Sequence, residues 1–182
     1  MIETIWHGRG GQGAFTAARL LGAAYSIGQG GFALAFPSFG PERRGAPMRA
    51  FTKLSTSPIG DRSEVKRADY VVYLDDTLFS EGWDKELEPG GRAIVNSRQK
   101  FTDARIISID ADGISKEVLG RSIPNTALLG ALCAVCPVVN REDAIVGIRE
   151  CMPERLQQKN IAVIEAVMDS MSVSMLKGVE GR

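Results

Sequence analysis

Two short stretches carry the residue types that bind anions. The first is His7-Gly8-Arg9-Gly10-Gly11-Gln12-Gly13, in which Gly8, Gly10 and Gly13 satisfy G-x-G-x-x-G. Glycines permit positive φ and close backbone approach. Where such a turn joins a strand to a helix, the first free amides and the positive end of the helix dipole face a phosphate or a carboxylate. Arg9 and Gln12 add polar side chains inside the turn. The second stretch, residues 36–47, reads FPSFGPERRGAP. Three prolines stiffen it, so Arg43 and Arg44 present donors at low entropic cost. Two guanidinium groups suit phosphate or carboxylate, in a ligand or across an interface. Phe36 and Phe39 beside them suit a contact surface, since aromatics and arginine are typical interface anchors. The expected binding residues are therefore Gly8, Arg9, Gly10, Gly11, Gln12, Gly13, Arg43 and Arg44.

The other chemistry-bearing residues point less clearly. A dinucleotide fold carries an acidic residue at the end of its second strand to hold a ribose, but residues 32–38 read FALAFPS. The turn thus serves a nucleotide, meets an anion or partner from another chain, or only turns a corner. Cys133 and Cys136 form a lone C-x-x-C, with only Cys151 and His7 left to complete a ligand set, so both are read as buried structural cysteines and no metal site is expected. His7, the only histidine, has no nucleophile paired to it, and no residue is assigned a catalytic role. Asp75 and Asp76 end the run YVVYL, either as helix caps or on the side where α/β ligands bind.

Several elements must position these residues. Residues 2–6 are a short apolar run ending at the glycines, a first strand. Residues 13–28 have helical spacing, with Ala17, Leu20, Leu21 and Ala24 on one face. Residues 32–36 form a second strand. Residues 48–55 alternate, the pattern of a half-exposed and antiparallel strand. Residues 70–74 read as a buried parallel strand, Pro89-Gly90-Gly91 as a turn, and 93–96 and 105–109 as further strands. A short helical stretch over 114–119 follows Asp110. From Pro124 onward the pattern is helical: an apolar helix over 126–135, one over 144–150 capped by Asn140 with Asp143, and a last helix after Pro153. Strands alternating with helices, then clustered helices, predict one α/β domain over 1–182. Its form is Rossmann-like and three-layered, with a mostly parallel sheet and a helical C-terminal part.

Composition narrows the function classes. The 22 basic residues balance the 22 acidic ones, so no global field points to nucleic acid or an anionic membrane. The charge is uneven, since residues 41–67 hold seven basic and three acidic residues. No apolar run approaches the roughly 20 residues that span a bilayer, and no signal peptide is visible. An odd count of three cysteines suits a cytoplasmic protein better than a secreted disulfide scaffold.

The segments WHGRGGQGAFTAARLLGAAY, AFPSFGPERRGAPMRAF, ADYVVYLDDTL and NTALLGAL resemble, in order and spacing, the gamma subunit of 2-oxoacid:ferredoxin oxidoreductases over residues 2 to about 170. The FGPERRGAP form looks more like the pyruvate and branched-chain 2-oxoacid enzymes than the 2-oxoglutarate ones. The resemblance implies a complex that oxidatively decarboxylates a 2-oxoacid with coenzyme A, giving acyl-CoA, carbon dioxide and reduced ferredoxin. It implies thiamine diphosphate with Mg2+ on alpha and beta partner subunits, and iron–sulfur clusters on a delta subunit and in some members on beta. The gamma part carries none of these and is not active alone. It has a Rossmann-like fold, packs on the catalytic subunits and lies near where coenzyme A approaches. The alternative is a stand-alone Rossmann-like nucleotide-binding protein or NAD(P)-dependent oxidoreductase, which micromolar binding of NAD(P)H would reveal.

Overall fold

The computed structural model describes residues 1–38 and 44–180, with side chains described through 172. Its strands are β1 (Ile2–Arg9), β2 (Phe32–Pro37), β3 (Pro47–Ser55), β4 (Ala68–Tyr73), β5 (Leu87–Asn96) and β6 (Ile106–Ile109). Its α-helices are α1 (Ala14–Ala23), α2 (Ala111–Leu119), α3 (Pro124–Val135), α4 (Arg141–Cys151) and α5 (Glu154–Glu180). All six strands form one sheet in the order β2-β3-β1-β4-β5-β6. The β1–β4, β4–β5 and β5–β6 pairs are parallel. Strand β3 alone runs against its neighbours, pairing antiparallel with both β1 and β2. The expected α/β class and mostly parallel sheet are found.

The helices gather on one face of the sheet. There Trp6, Leu54, Val72 and Ile94 pack with Leu20 and Leu21 of α1, Leu128, Leu129 and Leu132 of α3, Ile148 of α4, and Val163, Ile164 and Val167 of α5. The indole N–H of Trp6 donates to Thr52 Oγ1 at 3.1 Å, and Thr52 donates on to the Ala18 carbonyl at 3.0 Å, so one hydroxyl ties β1, β3 and α1 together. Helix α3 is buried nearly throughout, as its all-apolar pattern predicts. On the opposite face the third layer is built differently. Ile5, Phe51, Val71, Tyr73 and Val95 are covered by Val65 from the loop before β4 and by Leu78, Phe79 and Trp83 from a segment of two 3-10 turns, Asp76–Leu78 and Trp83–Glu86.

Three expectations need correction. The alternation over 48–55 predicts a half-exposed strand, but β3 is an interior strand whose residues 50–54 are all buried. Its Lys53 side chain is 1% exposed, held by Asp61 at 2.7 Å and Glu3 at 3.2 Å. A charged residue here reads as polar in the sequence and is nonetheless interior, because two carboxylates meet it. Next, Pro89-Gly90-Gly91 does not end an element. Ala68 pairs with Leu87 but Tyr70 with Arg92, so β5 bulges through these residues, with Gly90 at φ +86°. Finally, helix α1 stops at Ala23 and the chain continues as a π-helical turn, Ala24–Gly28.

Candidate functional site

The carboxyl ends of β1, β4, β5 and β6 share one edge of the sheet, the edge where open α/β folds bind ligands. Residues 8–13 leave β1 there, and the end of the arginine loop returns beside them. The Gly10 amide donates to the Ala46 carbonyl at 2.9 Å, and the Gly45 amide to the Gly10 carbonyl at 3.0 Å. Gly10 and Arg44 also form a parallel bridge. Two stretches some 30 residues apart thus become one surface. Arg44 is exposed on it, while Arg43 lies outside the described residues along with Phe39.

Arg9 and Gln12 serve this surface from within. The Arg9 guanidinium donates to Asp75 Oδ2 at 3.0 Å, to Thr77 Oγ1 at 2.8 Å and to the Gly45 carbonyl at 3.2 Å. The Gln12 amide nitrogen donates to the same Asp75 oxygen at 3.1 Å, while Gln12 Oε1 accepts from the Arg9 amide at 2.7 Å. The two side chains are therefore struts that lash the turn to the end of β4 and to the arginine loop. Asp75 also accepts from Thr77 N at 3.0 Å and caps the first 3-10 turn, so capping and site assembly are one task. Burial works against the Asp75 charge, but the bonds from Thr77 and Gln12 and the Arg9 charge outweigh it and hold its carboxyl below the usual range.

Beside the turn lies a cleft of about 450 Å³ lined by Gln12, Asp75, Asp76, Asn96, Asp110 and Asp112 among others. Three of its carboxylates have partners: Asp75 as above, Asp110, which caps α2 at the Gly113 amide and pairs with Arg98, and Asp112, which accepts from Asn96. With no ribose carboxylate ending β2 and with acidic walls here, the cleft does not match the dinucleotide pattern.

His7 is placed apart from this cleft. Its ring stacks on Tyr73 at 4.6 Å, and Nε2 lies 2.6 Å from Glu86 Oε2. Arg49 reaches Glu86 at 3.6 Å and Glu64 at 3.2 Å. Burial opposes the Glu86 charge, yet His7, Arg49 and the Tyr73 hydroxyl outweigh it and keep the carboxyl below its usual range. These bonds clamp the layer of 3-10 turns onto the sheet. Cys133 and Cys136 are buried free thiols, and burial pushes both up, which disfavours the thiolate a metal or a nucleophilic reaction needs. Among the described residues no group of three or more His, Cys, Asp or Glu side chains is placed to hold a metal ion. Among them, too, no single helix is long and apolar enough to cross a membrane.

The residue that sequence reasoning missed is Asn125, at the start of α3. It is 6% exposed and packs against Gly13. It falls within the segment NTALLGAL, but nothing in the spacing of that segment ties it to the glycine turn 112 positions earlier.

Comparison with known proteins places this architecture. The family model described as pyruvate ferredoxin/flavodoxin oxidoreductase matches residues 3–170. The chain is 42% identical over 182 residues to pyruvate synthase subunit PorC of Methanothermobacter marburgensis, covering 96% of this chain and 99% of that one. It is 38% identical over 183 residues to the pyruvate/ketoisovalerate oxidoreductases common subunit gamma of Thermococcus kodakarensis, covering 95% and 98%. The crystal structure of pyruvate oxidoreductase subunit PORC from Thermotoga maritima superposes with a TM-score of 0.79 at 33% identity, covering 92% of this chain and 95% of that one. A glycine turn with no ribose carboxylate, lashed to an arginine loop at one sheet edge, thus has relatives matched along nearly their whole length, and the chain belongs to the pyruvate ferredoxin/flavodoxin oxidoreductase family.

Proposed function

We propose that this chain is the gamma subunit of a thiamine-dependent 2-oxoacid:ferredoxin oxidoreductase. The observation that carries the reading is the match, over 96% of one chain and 99% of the other, to a subunit of pyruvate synthase. The complex converts pyruvate or a related 2-oxoacid and coenzyme A to acyl-CoA and carbon dioxide, and the electrons pass to ferredoxin. Thiamine diphosphate with Mg2+, when bound by the alpha and beta subunits, supplies the carbanion chemistry of decarboxylation. Iron–sulfur clusters belong to a delta subunit and in some complexes to beta. Among the described residues of this chain Cys133 and Cys136 are buried free thiols, Cys151 is half-buried, and no group of three or more His, Cys, Asp or Glu side chains is placed to hold a metal ion. Its own part is packing, over residues 1–182 as one unit in the cytoplasm.

The arginine loop is the contact surface in this reading. Arg44, beside the 8–13 turn, is exposed and faces outward from a scaffold that Arg9, Gln12 and Asp75 make rigid. Arg43 and Arg44 meet either coenzyme A phosphates or carboxylates of the alpha and beta subunits. The test is capture of a tagged chain from native cells. Co-purification of thiamine-dependent alpha and beta chains is the expected result. Capture of none of them, together with micromolar NAD(P)H binding by the chain alone, would favour the stand-alone nucleotide-binding alternative instead.

A further inference from the structure

Between the segment of 3-10 turns and the chain leaving β5 lies a second cleft, of about 580 Å³. Three half-buried aromatic residues line it: Phe79, Trp83 and Phe101. The Phe79 ring lies 5.4 Å from Trp83 and 5.3 Å from Phe101, and it meets the buried Tyr73 edge-on at 5.1 Å. The charged residues of the lining are Asp76 and Glu81. Both are exposed, and neither has an ion-pair partner among the described residues. The cleft shares Asp76, Ser97 and Gln99 with the acidic cleft beside the glycine turn, so the two form one groove, longer than a single side chain needs.

The chain itself shows what such a ring takes. The Arg105 guanidinium stands 4.9 Å from the centroid of Trp83, and Asp103 holds it there, accepting from Nη2 at 2.7 Å and from Nε at 3.1 Å. A guanidinium stacked on an aromatic face and braced by a carboxylate gains from both contacts. The groove offers the same two ingredients, aromatic rings beside the Asp76 and Glu81 carboxylates, and no basic residue lies in the lining of its aromatic end. A lysine suits it less well, because its ammonium is compact, strongly hydrated and unable to stack.

We propose that this groove docks an arginine-bearing segment of a partner protein. The guanidinium stacks against Phe79, Trp83 or Phe101 and pairs with Asp76 and Glu81, and apolar neighbours in the segment cover the rest of the rings. Charge complementarity selects a basic occupant, and the length of the groove suits an extended segment better than a free amino acid. The surface is opposite in sign to the arginine loop, so it takes a different part of a partner from the one that Arg43 and Arg44 meet. The inference stands apart from the subunit assignment, because it is carried by side chains of this chain and is tested on this chain alone.

Titration of the full 182-residue chain with the peptide acetyl-Leu-Arg-Leu-amide, followed by tryptophan emission, tests this. Of the two tryptophans Trp6 is fully buried on the helical face of the sheet, so a saturable change reports Trp83. The arginine peptide is expected to bind tightest and its lysine counterpart less well. The citrulline counterpart, which keeps the shape and loses the charge, should bind about fivefold more weakly or worse. Asp76→Asn with Glu81→Gln should leave the thermal midpoint unchanged and remove the advantage of arginine over citrulline. Phe101→Ala should weaken all three peptides. No saturable change with the arginine peptide, or equal binding of the arginine and citrulline peptides, overturns the proposal. Free arginine amide binding as tightly as the peptide overturns the partner segment in favour of a small cation. A Trp83 signal that changes with the concentration of the chain alone, while sedimentation shows a dimer, overturns it in favour of a second copy.

Discussion

Asp75 and Glu86 set how the chain responds to acid. Their carboxyls sit below their ordinary values of 3.8 and 4.5 because bonded donors outweigh the cost of burial. A carboxyl with a depressed folded value contributes stability that is present above its ordinary value and lost as pH falls through the folded one. Their contribution is full above about pH 5 and declines below about pH 4. The pair Asp75→Asn with Glu86→Gln should lower stability at pH 7 and flatten its fall between about pH 5 and 3. Urea midpoints across that range test this, and an acid slope equal to the parent's would contradict it. Lys53 makes a second residue-scale prediction. Lys53→Met removes a buried charge and leaves Glu3 and Asp61, both with access to water, so the change should stay within about 1 kcal/mol. Removing both acids as Glu3→Gln with Asp61→Asn strands the ammonium and should cost about 3 kcal/mol or more. Equal costs would mean that the pairing is not what makes the buried lysine tolerable. Thr4 gives the opposite sign: its Oγ1 is the one buried side-chain polar atom without a partner among the described residues. Thr4→Val, of similar shape, should therefore be neutral or stabilising by up to about 1 kcal/mol in the same urea measurement.

Helix α4 shows what an element needs in order to be found from sequence. Asn140 accepts from the Asp143 amide at 2.9 Å and Asp143 returns a carboxylate to the Asn140 amide at 2.9 Å, a reciprocal cap legible from two residues three apart. Asp143 also accepts from Gln29 at 2.6 Å, joining the start of α4 to the end of the π-helical turn. Asn140→Ala should cost about 1 kcal/mol, read from a thermal or urea midpoint, and a change within a few tenths would show the cap to be dispensable. Gly147 lies against the Leu20 carbonyl, where an added Cβ would stand 2.6 Å away. Gly147→Ala thus pushes α4 off α1 and should cost roughly 1–3 kcal/mol. Elements with local signals were legible in this way: the apolar runs of β1, β2, β4 and β6, the burial of α3, and the cap of α4. What local signals do not carry is who lies opposite. The burial of β3 depends on its place between β1 and β2, and the bulge in β5 on a register set by β4. Likewise the glycine turn was visible, but that Arg9 and Gln12 turn inward to Asp75 follows from a partner 66 positions along the chain from Arg9. Asn125 was hidden for the same reason.

At the scale of the molecule, one sheet edge gathers the glycine turn, the arginine loop, the end of β4 and the start of α3. Of the loop's two arginines, Arg44 is exposed at this edge. Arg43→Ala with Arg44→Ala should therefore raise the Michaelis constant for coenzyme A or prevent assembly, without lowering the chain's own thermal midpoint. An assembled complex with unchanged coenzyme A kinetics would remove the arginines from the account. The central claim is that this chain is a required part of a 2-oxoacid:ferredoxin oxidoreductase and performs no turnover alone. The most direct measurement is reduction of a low-potential viologen dye by the partner subunits, with this chain withheld and then added back. The account predicts no turnover from the chain alone, and dye reduction that depends on a 2-oxoacid, on coenzyme A and on the added chain. Full activity of the partners without it, or no activity when all are combined, would contradict it.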